Sequence, residues 1–370
     1  MNISVGIVGL PNAGKSTLFG ALTQKEVDIA KYPFVTIDPN VGVVKVLDER
    51  LDKLAEAFHS KEKIPAVVEF VDIAGLVEGA HKGEGLGNKF LSHIREVAAV
   101  CHVVRDFEDS TVAHVAGAGE PLRDLEIVET ELLLKDLEVV ERRLETIEKE
   151  VRANRKGARE EAGMLQGLRT LLGNGRPARE FLKENQEGGT FLQELKLLSS
   201  KPVLLVVNTT KENVTAELAG LLAPRGVPII PLNAKEELEA GALSQGERAE
   251  LGVETKLPRL IQGAYELLSL ITFFTAGEKE TRAWTIKNGA TAPEAGGVIH
   301  SDFQEKFIRA SVISWEKLLE AAAHLQDGRA TLTGSERGVY QEATSKGWLR
   351  TEGKEYVVQD GDVIEILHAP

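Results

Sequence analysis

Short apolar runs alternate with stretches of helical spacing over the first 120 residues or so. Ile3 to Val8 is an apolar run ending in Gly9, which predicts a buried strand. Ser16 to Leu22 predicts the first turns of a helix. Val41-Gly-Val-Val-Lys-Val46 and Ala66-Val-Val-Glu-Phe-Val71 predict strands, and Val100 to Val104 a further buried one. Glu49 to Phe58 and Asn88 to Ala99 carry helical spacing. This order predicts an α/β fold with a mostly parallel sheet.

From about residue 121 to 199 the period changes. Leu133, Leu137, Val140, Leu144, Ile147 and Val151 alternate spacings of four and three, a coiled-coil seam. Asp124 to Arg155 would make a helix of ~45 Å at ~1.5 Å per residue. Ala162 to Leu172 and Phe191 to Leu198 supply a returning apolar stripe, interrupted by Gly173-Asn-Gly-Arg-Pro177. An antiparallel helical insertion is expected, with Lys149, Arg152, Arg155, Lys156 and Arg159 at its tip. Those cations read either as a solvated face or as a basic finger for RNA phosphates.

Pro202-Val-Leu-Leu-Val-Val207 predicts a return to the sheet, followed by a strand at Val227 to Leu232 and a helix at about Leu257 to Leu270. A boundary falls near Thr275-Ala-Gly277. Beyond it, Arg282 to Ile286 reads as a strand and Ser301 to Ala310 has helical spacing. Tyr356 to Val358 and Val363 to Leu367 flank Gln-Asp-Gly-Asp, a hairpin signal. The expected domains are a nucleotide-binding part (1–120 and 200–276), a helical insertion (121–199) and a β-grasp-like module (277–370).

Composition narrows the class without changing this picture. The 370 residues are 42% hydrophobic and 27% charged, which suits a globular chain of two or three domains. A single cysteine, Cys101, excludes a disulfide framework and a cysteine-rich zinc site. The net charge of -13 argues against indiscriminate nucleic-acid binding, though not against a local basic face. No apolar run reaches the ~18 residues of a membrane helix. The first strand begins so early that no signal peptide is expected. A soluble, cytoplasmic, monomeric protein without membrane contact is the expectation.

The chemistry lies in Gly9-Leu-Pro-Asn-Ala-Gly-Lys-Ser-Thr17, which fits G-x-x-x-x-G-K-[ST] between a strand and a helix. The two glycines let backbone N–H groups turn inward around polyphosphate oxygens. Asn12, Ala13, Gly14, Lys15, Ser16 and Thr17 are the nucleotide-binding candidates. Lys15 would sit on the β- and γ-phosphates, and the Ser16 hydroxyl on Mg²⁺. Asp72, at a strand end, is the second Mg²⁺ candidate, and Gly75 in Asp72-Ile-Ala-Gly75 would offer its N–H to the γ-phosphate. Thr36, in Tyr32-Pro-Phe-Val-Thr-Ile37, is a switch-type Mg²⁺ ligand or a plain β-branched strand residue. Gly79, Gly83, Gly85 and Gly87 make either a loop that closes on nucleotide or a solvated linker.

The run Asp72-Ile-Ala-Gly-Leu-Val-Glu-Gly-Ala-His-Lys-Gly-Glu-Gly-Leu-Gly-Asn-Lys-Phe90 resembles the signature of the Obg-related GTPases. With Gly9 to Thr17, Tyr32-Pro-Phe34 and His114-Val-Ala-Gly117, the chain is identified as similar to the YchF, or Obg-like ATPase, branch. The resemblance runs through the whole chain. It implies a Ras-like P-loop NTPase domain, a coiled-coil insertion and a TGS domain, the last on Ala283-Trp-Thr-Ile, His300-Ser-Asp-Phe and Gly361 to Leu367. It implies ATP hydrolysis coupled to ribosome binding, with the large subunit or RNA as partner in translation or stress response.

Leu76 stands where small GTPases place a water-orienting glutamine. The resemblance makes His114 the catalytic candidate beside Lys15 and Gly75; His81 is a second choice. Asn12 resembles a loop asparagine that helps hold K⁺ in potassium-stimulated relatives. The strand ending at Asn208 continues Thr-Thr-Lys-Glu212, so Lys211 occupies the place of the aspartate that reads guanine. The family's usual glutamate comes one residue late here, at Glu212. ATP is therefore expected as the preferred ligand, with GTP tolerated, and Asn208 and Thr209 as base contacts. Asn233-Ala-Lys235 is either the loop over the base or a simple strand-to-helix turn. The rival readings are a guanine-specific switch and a ribosome-binding module regulated by nucleotide without turnover.

Overall fold

The computed structural model describes residues 3–24, 27–28, 32, 38, 40–73, 88–107, 121–181, 189–326 and 336–369. Its strands are β1 (Ser4–Val8), β2 (Val41–Lys45), β3 (Glu62–Ile64), β4 (Val67–Asp72), β5 (Ala99–Asp106), β6 (Val203–Thr209), β7 (Ile229–Leu232), β8 (Leu270–Thr275), β9 (Glu280–Lys287), β10 (Phe307–Ser314), β11 (Arg350–Glu352) and β12 (Asp362–His368). Its helices are α1 (Lys15–Thr23), α2 (Glu49–Ala57), α3 (Asn88–Glu96), α4 (Pro121–Arg152), α5 (Ala158–Gly173), α6 (Gly189–Leu195), α7 (Ala216–Leu222), α8 (Ala234–Gly241), α9 (Gln245–Leu251), α10 (Leu257–Leu267), α11 (Ala292–Ile299), α12 (Ser301–Glu305), α13 (Trp315–Gln326) and α14 (Glu336–Ser345).

The first sheet has the order β2-β4-β1-β5-β6-β7. β1 pairs in parallel with β4 and β5, and β5–β6 and β6–β7 are parallel too. Every residue of β1 is buried, as is nearly all of β5 and β6. Strands covered on both faces read as unbroken apolar runs, which is why these were visible in the sequence. Parallel pairing brings the carboxyl ends of β1, β4, β5, β6 and β7 to one edge of the sheet, where open α/β sheets bind ligands. The register aligns Ile7 with Asp72, Asp106 with Thr209 and Asn208 with Leu232.

The predicted insertion is helical. Val140, Leu144 and Ile147 of α4 are buried against Leu165, Leu168, Leu171 and Leu172 of α5, with Leu133, Leu137 and Val151 partly covered. At the tip, Arg143 and Arg155 both pair with Glu150 and Glu161. Lys149, Arg152, Lys156 and Arg159 are exposed and have no ion pair among the described residues. Arg155 is thus held within the tip, and four of the five expected cations face water. Where the chain returns to the sheet, the buried Asp136 of α4 accepts from the Leu198 N–H at 2.7 Å, the Ser199 N–H at 2.7 Å and Ser199 Oγ at 2.6 Å.

The chain divides into two compact units: Met1–Glu26, Thr36–Gly42 and Glu69–Ala264 form one, and Val27–Val35, Val43–Val68 and Tyr265–Pro370 the other. The helical insertion belongs to the first. Placing 43–68 with the C-terminal residues departs from the sequence reading, and the bonding explains it. β3 adds to the edge of the second sheet, whose order is β11-β10-β12-β8-β9-β3, in parallel with β9. Ser60 Oγ bonds Gly277 O at 2.8 Å and Thr281 Oγ1 at 2.7 Å. Arg50 pairs with Asp48 and Asp360.

Two expectations for the C-terminal part are corrected. Ser301 to Ala310 is not one helix: α12 ends at Glu305 and β10 starts at Phe307. Phe307, Ala310 and Val312 point into the core while Ile308 and Arg309 stay exposed, and the β-branched run that follows fits a pleated surface. The Gln359-Asp-Gly-Asp362 turn forms, with Gly361 at φ 88° and Asp362 Oδ2 accepting from the Gln359 N–H. Only Val363–Leu367 beyond it is a strand, whereas Val357 makes an isolated bridge to Thr291, so the pair is no hairpin. Among the described residues no helix is long and apolar enough to cross a membrane.

Replacing Asp136 with Ala would leave two buried N–H groups and a buried hydroxyl without their acceptor. At about 1–3 kcal/mol for each orphaned group, partly recovered by relaxation, the expected loss is about 3 kcal/mol of unfolding free energy in urea titration.

Candidate functional site

The phosphate loop leaves β1 with Gly9 at φ 150°, turns through Asn12 at φ 63° and enters α1 at Gly14, φ 95°. Only glycine fits at two of these places. A Cβ on Gly9 would lie 2.3 Å from Val103 O, and one on Gly14 would lie 2.2 Å from Asn208 Nδ2. No side chain caps α1. Its first-turn N–H groups, with no acceptor one turn back in the helix, face an anion-binding end with the positive helix dipole behind them.

Lys15 is buried and donates from Nζ to Leu10 O at 2.9 Å, placing its ammonium across the loop. Burial pushes its titration below the ordinary lysine value, while the charge of Asp72 opposes this. Ser16 Oγ donates to Asp72 Oδ2 at 3.0 Å, so the two Mg²⁺ candidates meet although 56 residues separate them. The other oxygen, Asp72 Oδ1, is buried without a hydrogen-bond partner. A hydroxyl and a carboxylate with one idle oxygen suit a hard, oxygen-preferring cation, so the residues fit Mg²⁺. The described residues hold no group of three or more His, Cys, Asp and Glu that could bind a metal.

Beside the phosphate loop, the ends of β6 and β7 meet. Asn208, buried, donates from Nδ2 to Ala13 O at 2.9 Å and accepts at Oδ1 from the Ala234 N–H at 3.0 Å. One carboxamide thereby joins the phosphate loop, the β6 end and the β7 end. Thr209, also buried, donates to Asp106 Oδ2 at 3.0 Å and accepts from the Lys211 N–H at 3.1 Å. Asn233 caps α8, accepting at Oδ1 from the N–H groups of Lys235 and Glu236. The strand-to-helix reading of Asn233 thus describes its own bonds, although it also lines the cavity beside it.

That cavity, about 690 Å³, is walled by Thr209, Thr210, Lys211, Glu212, Asn233, Glu236, Glu237 and Glu239, with Ala240, Leu243, Val253, Glu254 and Lys256 completing it. Sequence reasoning identified only its first strand end and Asn233. Glu237 and Lys256 belong to no motif; Glu237 Oε1 accepts from the Lys256 N–H at 2.7 Å, across 19 residues. The one available signal was an acidic residue in the first turn of a helix, which reads equally as helix-dipole pairing.

His102 was also missed. It lies beside Val8 in register, is buried, and its Nε2 has no partner. Burial and the nearby charge of Lys15 drive its pKa down to about 3, so it stays neutral. Thr36, Gly75, His114, Leu76, His81 and the glycine-rich loop lie outside the described residues.

Residues 4–143 match a family model described as "50S ribosome-binding GTPase", and residues 270–368 match the YchF-GTPase C-terminal model, described as "Protein of unknown function". A Bacillus subtilis (strain 168) protein named ribosome-binding ATPase YchF is 46% identical, over 98% of this chain and 98% of that protein. Its namesake from Escherichia coli O157:H7 is 42% identical, over 99% of each. The solved Schizosaccharomyces pombe YchF GTPase superposes with a TM-score of 0.84 at 35% identity, covering 99% of this chain and 98% of that one.

Two measurements follow from this geometry. Asn208→Ala leaves the Ala13 carbonyl and the buried Ala234 N–H unpaired and is expected to cost about 2–6 kcal/mol by urea unfolding, at about 1–3 per orphaned group. For His102 the folded-state pKa lies below the unfolded value of 6.5, so the unfolded chain takes up a proton that the folded chain refuses. Stability is therefore complete above 6.5 and is lost as pH falls toward 3, by about 1.4 kcal/mol per pH unit. A His102→Leu variant is expected to lack that one-proton slope in denaturation curves taken between pH 6.5 and 4.5.

Proposed function

The chain belongs to the YchF family, and from that premise we propose that it is a ribosome-associated nucleotide switch that hydrolyses ATP in preference to GTP. One observation carries the reading: Lys15, the uncapped start of α1 and the Ser16–Asp72 pair converge on one point at the sheet edge. Phosphoryl transfer needs little covalent help from a protein, and such a cluster supplies positioning and positive charge. Ser16 and Asp72 would hold Mg²⁺, which neutralises phosphate charge when bound. Thr36 as a further Mg²⁺ ligand, the Gly75 N–H on the γ-phosphate and His114 orienting the water complete the proposal. K⁺ at Asn12 would add charge where the loop turns.

The preference for adenine rests on Lys211. A guanine reader needs an acceptor for the ring N1–H and the 2-amino group, and an ammonium has only donors. Lys211 keeps its Nζ 3.5 Å from Asp106 Oδ2 and its N–H on Thr209. Ribosome contact is assigned to the exposed cations Lys149, Arg152, Lys156 and Arg159 and to the TGS-like C-terminal residues, with RNA phosphates of the large subunit as the target and the protein acting as a monomer. Unpaired, exposed cations at a helix tip suit a polyanion despite the negative total.

The test is affinity for ATP and GTP measured side by side on the full chain, with Lys15→Ala as control and turnover followed with and without ribosomes. ATP tighter by tenfold or more, lost in Lys15→Ala, and turnover raised by ribosomes is the expected result. Equal or tighter GTP overturns the base reading. Tight ATP binding with no turnover at all leaves a nucleotide-regulated binding module instead.

A further inference from the structure

Asp72, one of the two residues that fit Mg²⁺, is the last residue of β4, and its backbone is held from a turn outside the sheet. Its N–H donates to Asn40 O at 2.9 Å. Asn40 is exposed and lies one residue before β2 begins. Two hydrogen bonds fix it, and both end on Asp38. The Asn40 N–H donates to Asp38 Oδ1 at 2.8 Å, and the Val41 N–H donates to Asp38 O at 3.0 Å. We propose that Asp38 is a positioning residue for the Mg²⁺ carboxylate, acting on Asp72 through the Asn40 peptide. This inference rests on Ser16 and Asp72 being the metal site of the proposed function and adds to it the residue that aims the carboxylate.

Peptide planarity makes the connection stiff. The Asn40 carbonyl and the Val41 N–H belong to one planar unit and point in opposite directions. Asp38 O takes one end of that unit, and the Asp72 N–H takes the other. The preceding unit, which carries the Asn40 N–H, is held by the Asp38 side chain. The two planes that meet at the Asn40 Cα are therefore both tied to Asp38, which leaves neither of the soft dihedrals of Asn40 free. A short polar side chain that bonds a backbone N–H two residues on is a common turn device. Here the carbonyl that the turn presents meets the backbone of a metal-site residue.

Asp72 needs such support. It stands where the register with β1 ends, at Ile7 and Asp72. Ser16 Oγ donates to its Oδ2 at 3.0 Å, while Oδ1 has no hydrogen-bond partner. The direction of the idle oxygen is thus set by one hydroxyl and by the backbone beneath it. Groups that orient a metal ligand without touching the metal typically change metal affinity by about 10–100-fold when removed. Asp38 acts one step further away, through the backbone, so an effect at or below the lower end of that range is expected. Because Asp38 is exposed, its removal separates aiming from core packing.

Asp38→Ala removes the side-chain acceptor, and Asp38→Asn keeps an amide oxygen in its place. ATP affinity is measured by calorimetry on the full chain in Mg²⁺ and in EDTA, together with the Mg²⁺ concentration that gives half-maximal hydrolysis. The wild type is expected to bind ATP more tightly in Mg²⁺ than in EDTA. In Asp38→Ala the half-maximal Mg²⁺ concentration rises by about threefold to tenfold, while ATP affinity in EDTA stays within about twofold of the wild type. Asp38→Asn restores the wild-type Mg²⁺ requirement. An unchanged Mg²⁺ requirement in Asp38→Ala overturns the inference, and so does an Asp38→Asn variant that behaves like Asp38→Ala. Equal weakening of ATP in Mg²⁺ and in EDTA would mean that Asp38 only shapes its turn, and overturns it too. Should the variants fail to fold, amide hydrogen exchange of the wild type tests the same bonds. Slowed exchange at Asn40, Val41 and Asp72 is expected, and exchange there at the rate of an unstructured chain overturns the inference. If the wild type bound ATP equally with and without Mg²⁺, the metal assignment of the proposed function would fall, and this inference with it. A Mg²⁺-dependent wild type with an indifferent Asp38→Ala overturns the inference alone.

Discussion

The carboxamide of Asn208 is the bond on which the site depends. Its Nδ2 holds Ala13 O and its Oδ1 holds the Ala234 N–H, so three chain segments far apart in sequence share one side chain. The geometry imposes demands in turn. Gly14 must be glycine, because a Cβ there would collide with the same Nδ2. β6 must run parallel between β5 and β7, because only that order delivers Asn208 to the edge where β1 ends. The apolar runs of β1, β5 and β6 thus serve a polar purpose. Buried on both faces, they fix the register, and the register sets the distances at the sheet edge.

Three of the buried polar atoms without a hydrogen-bond partner among the described residues of this unit carry different meanings. Asp72 Oδ1 sits beside Ser16, where a hard cation would find an idle oxygen. Glu237 Oε2 belongs to a residue of the cavity wall whose other oxygen accepts from the Lys256 N–H. His102 Nε2, on the central strand β5, is buried and is not part of that cavity's wall. Its answer to burial is to stay neutral, which a histidine can do at modest cost and a carboxylate cannot. Location relative to a cavity, rather than the missing bond alone, separates a binding group from a tolerated defect.

Much of this was legible in the sequence because the relevant patterns are local. The phosphate loop is nine consecutive residues between a strand and a helix. The α4 seam repeats over several turns, and Val140, Leu144 and Ile147 are buried as the spacing required. What was illegible depends on partners distant in sequence. Glu62–Ile64 has no strand pattern of its own and becomes β3 by pairing with β9, over 200 residues later. Ser301 to Ala310 matches helical spacing, yet Phe307 and Ala310 belong to a strand whose partner is β12. Tyr356 to Val358 stops short of being a strand because its neighbour is Thr291 rather than β12. Glu237 looks like any acidic residue in a helix's first turn until Lys256 and the cavity appear beside it.

The helical insertion is bound into the nucleotide unit by the same kind of economy. Asp136, midway along α4, takes three hydrogen bonds from Leu198 and Ser199 at the point where the chain turns back toward the sheet. Ser199 Oγ in turn accepts from the Ala178 N–H, which ties the segment after α5 to the same place. Four residues later β6 begins, and at its end lie Asn208 and Thr209. The stretch from Asp136 to the cavity at the end of β6 is therefore made of buried hydrogen bonds and one fully paired strand. Such a stretch transmits displacement better than a flexible linker, because close-packed, bonded segments deform little. Four free cations at the far end of α4 and a nucleotide at the end of β6 would act on one rigid piece of chain. That is the physical basis on which contact at the tip and occupancy of the loop can influence each other.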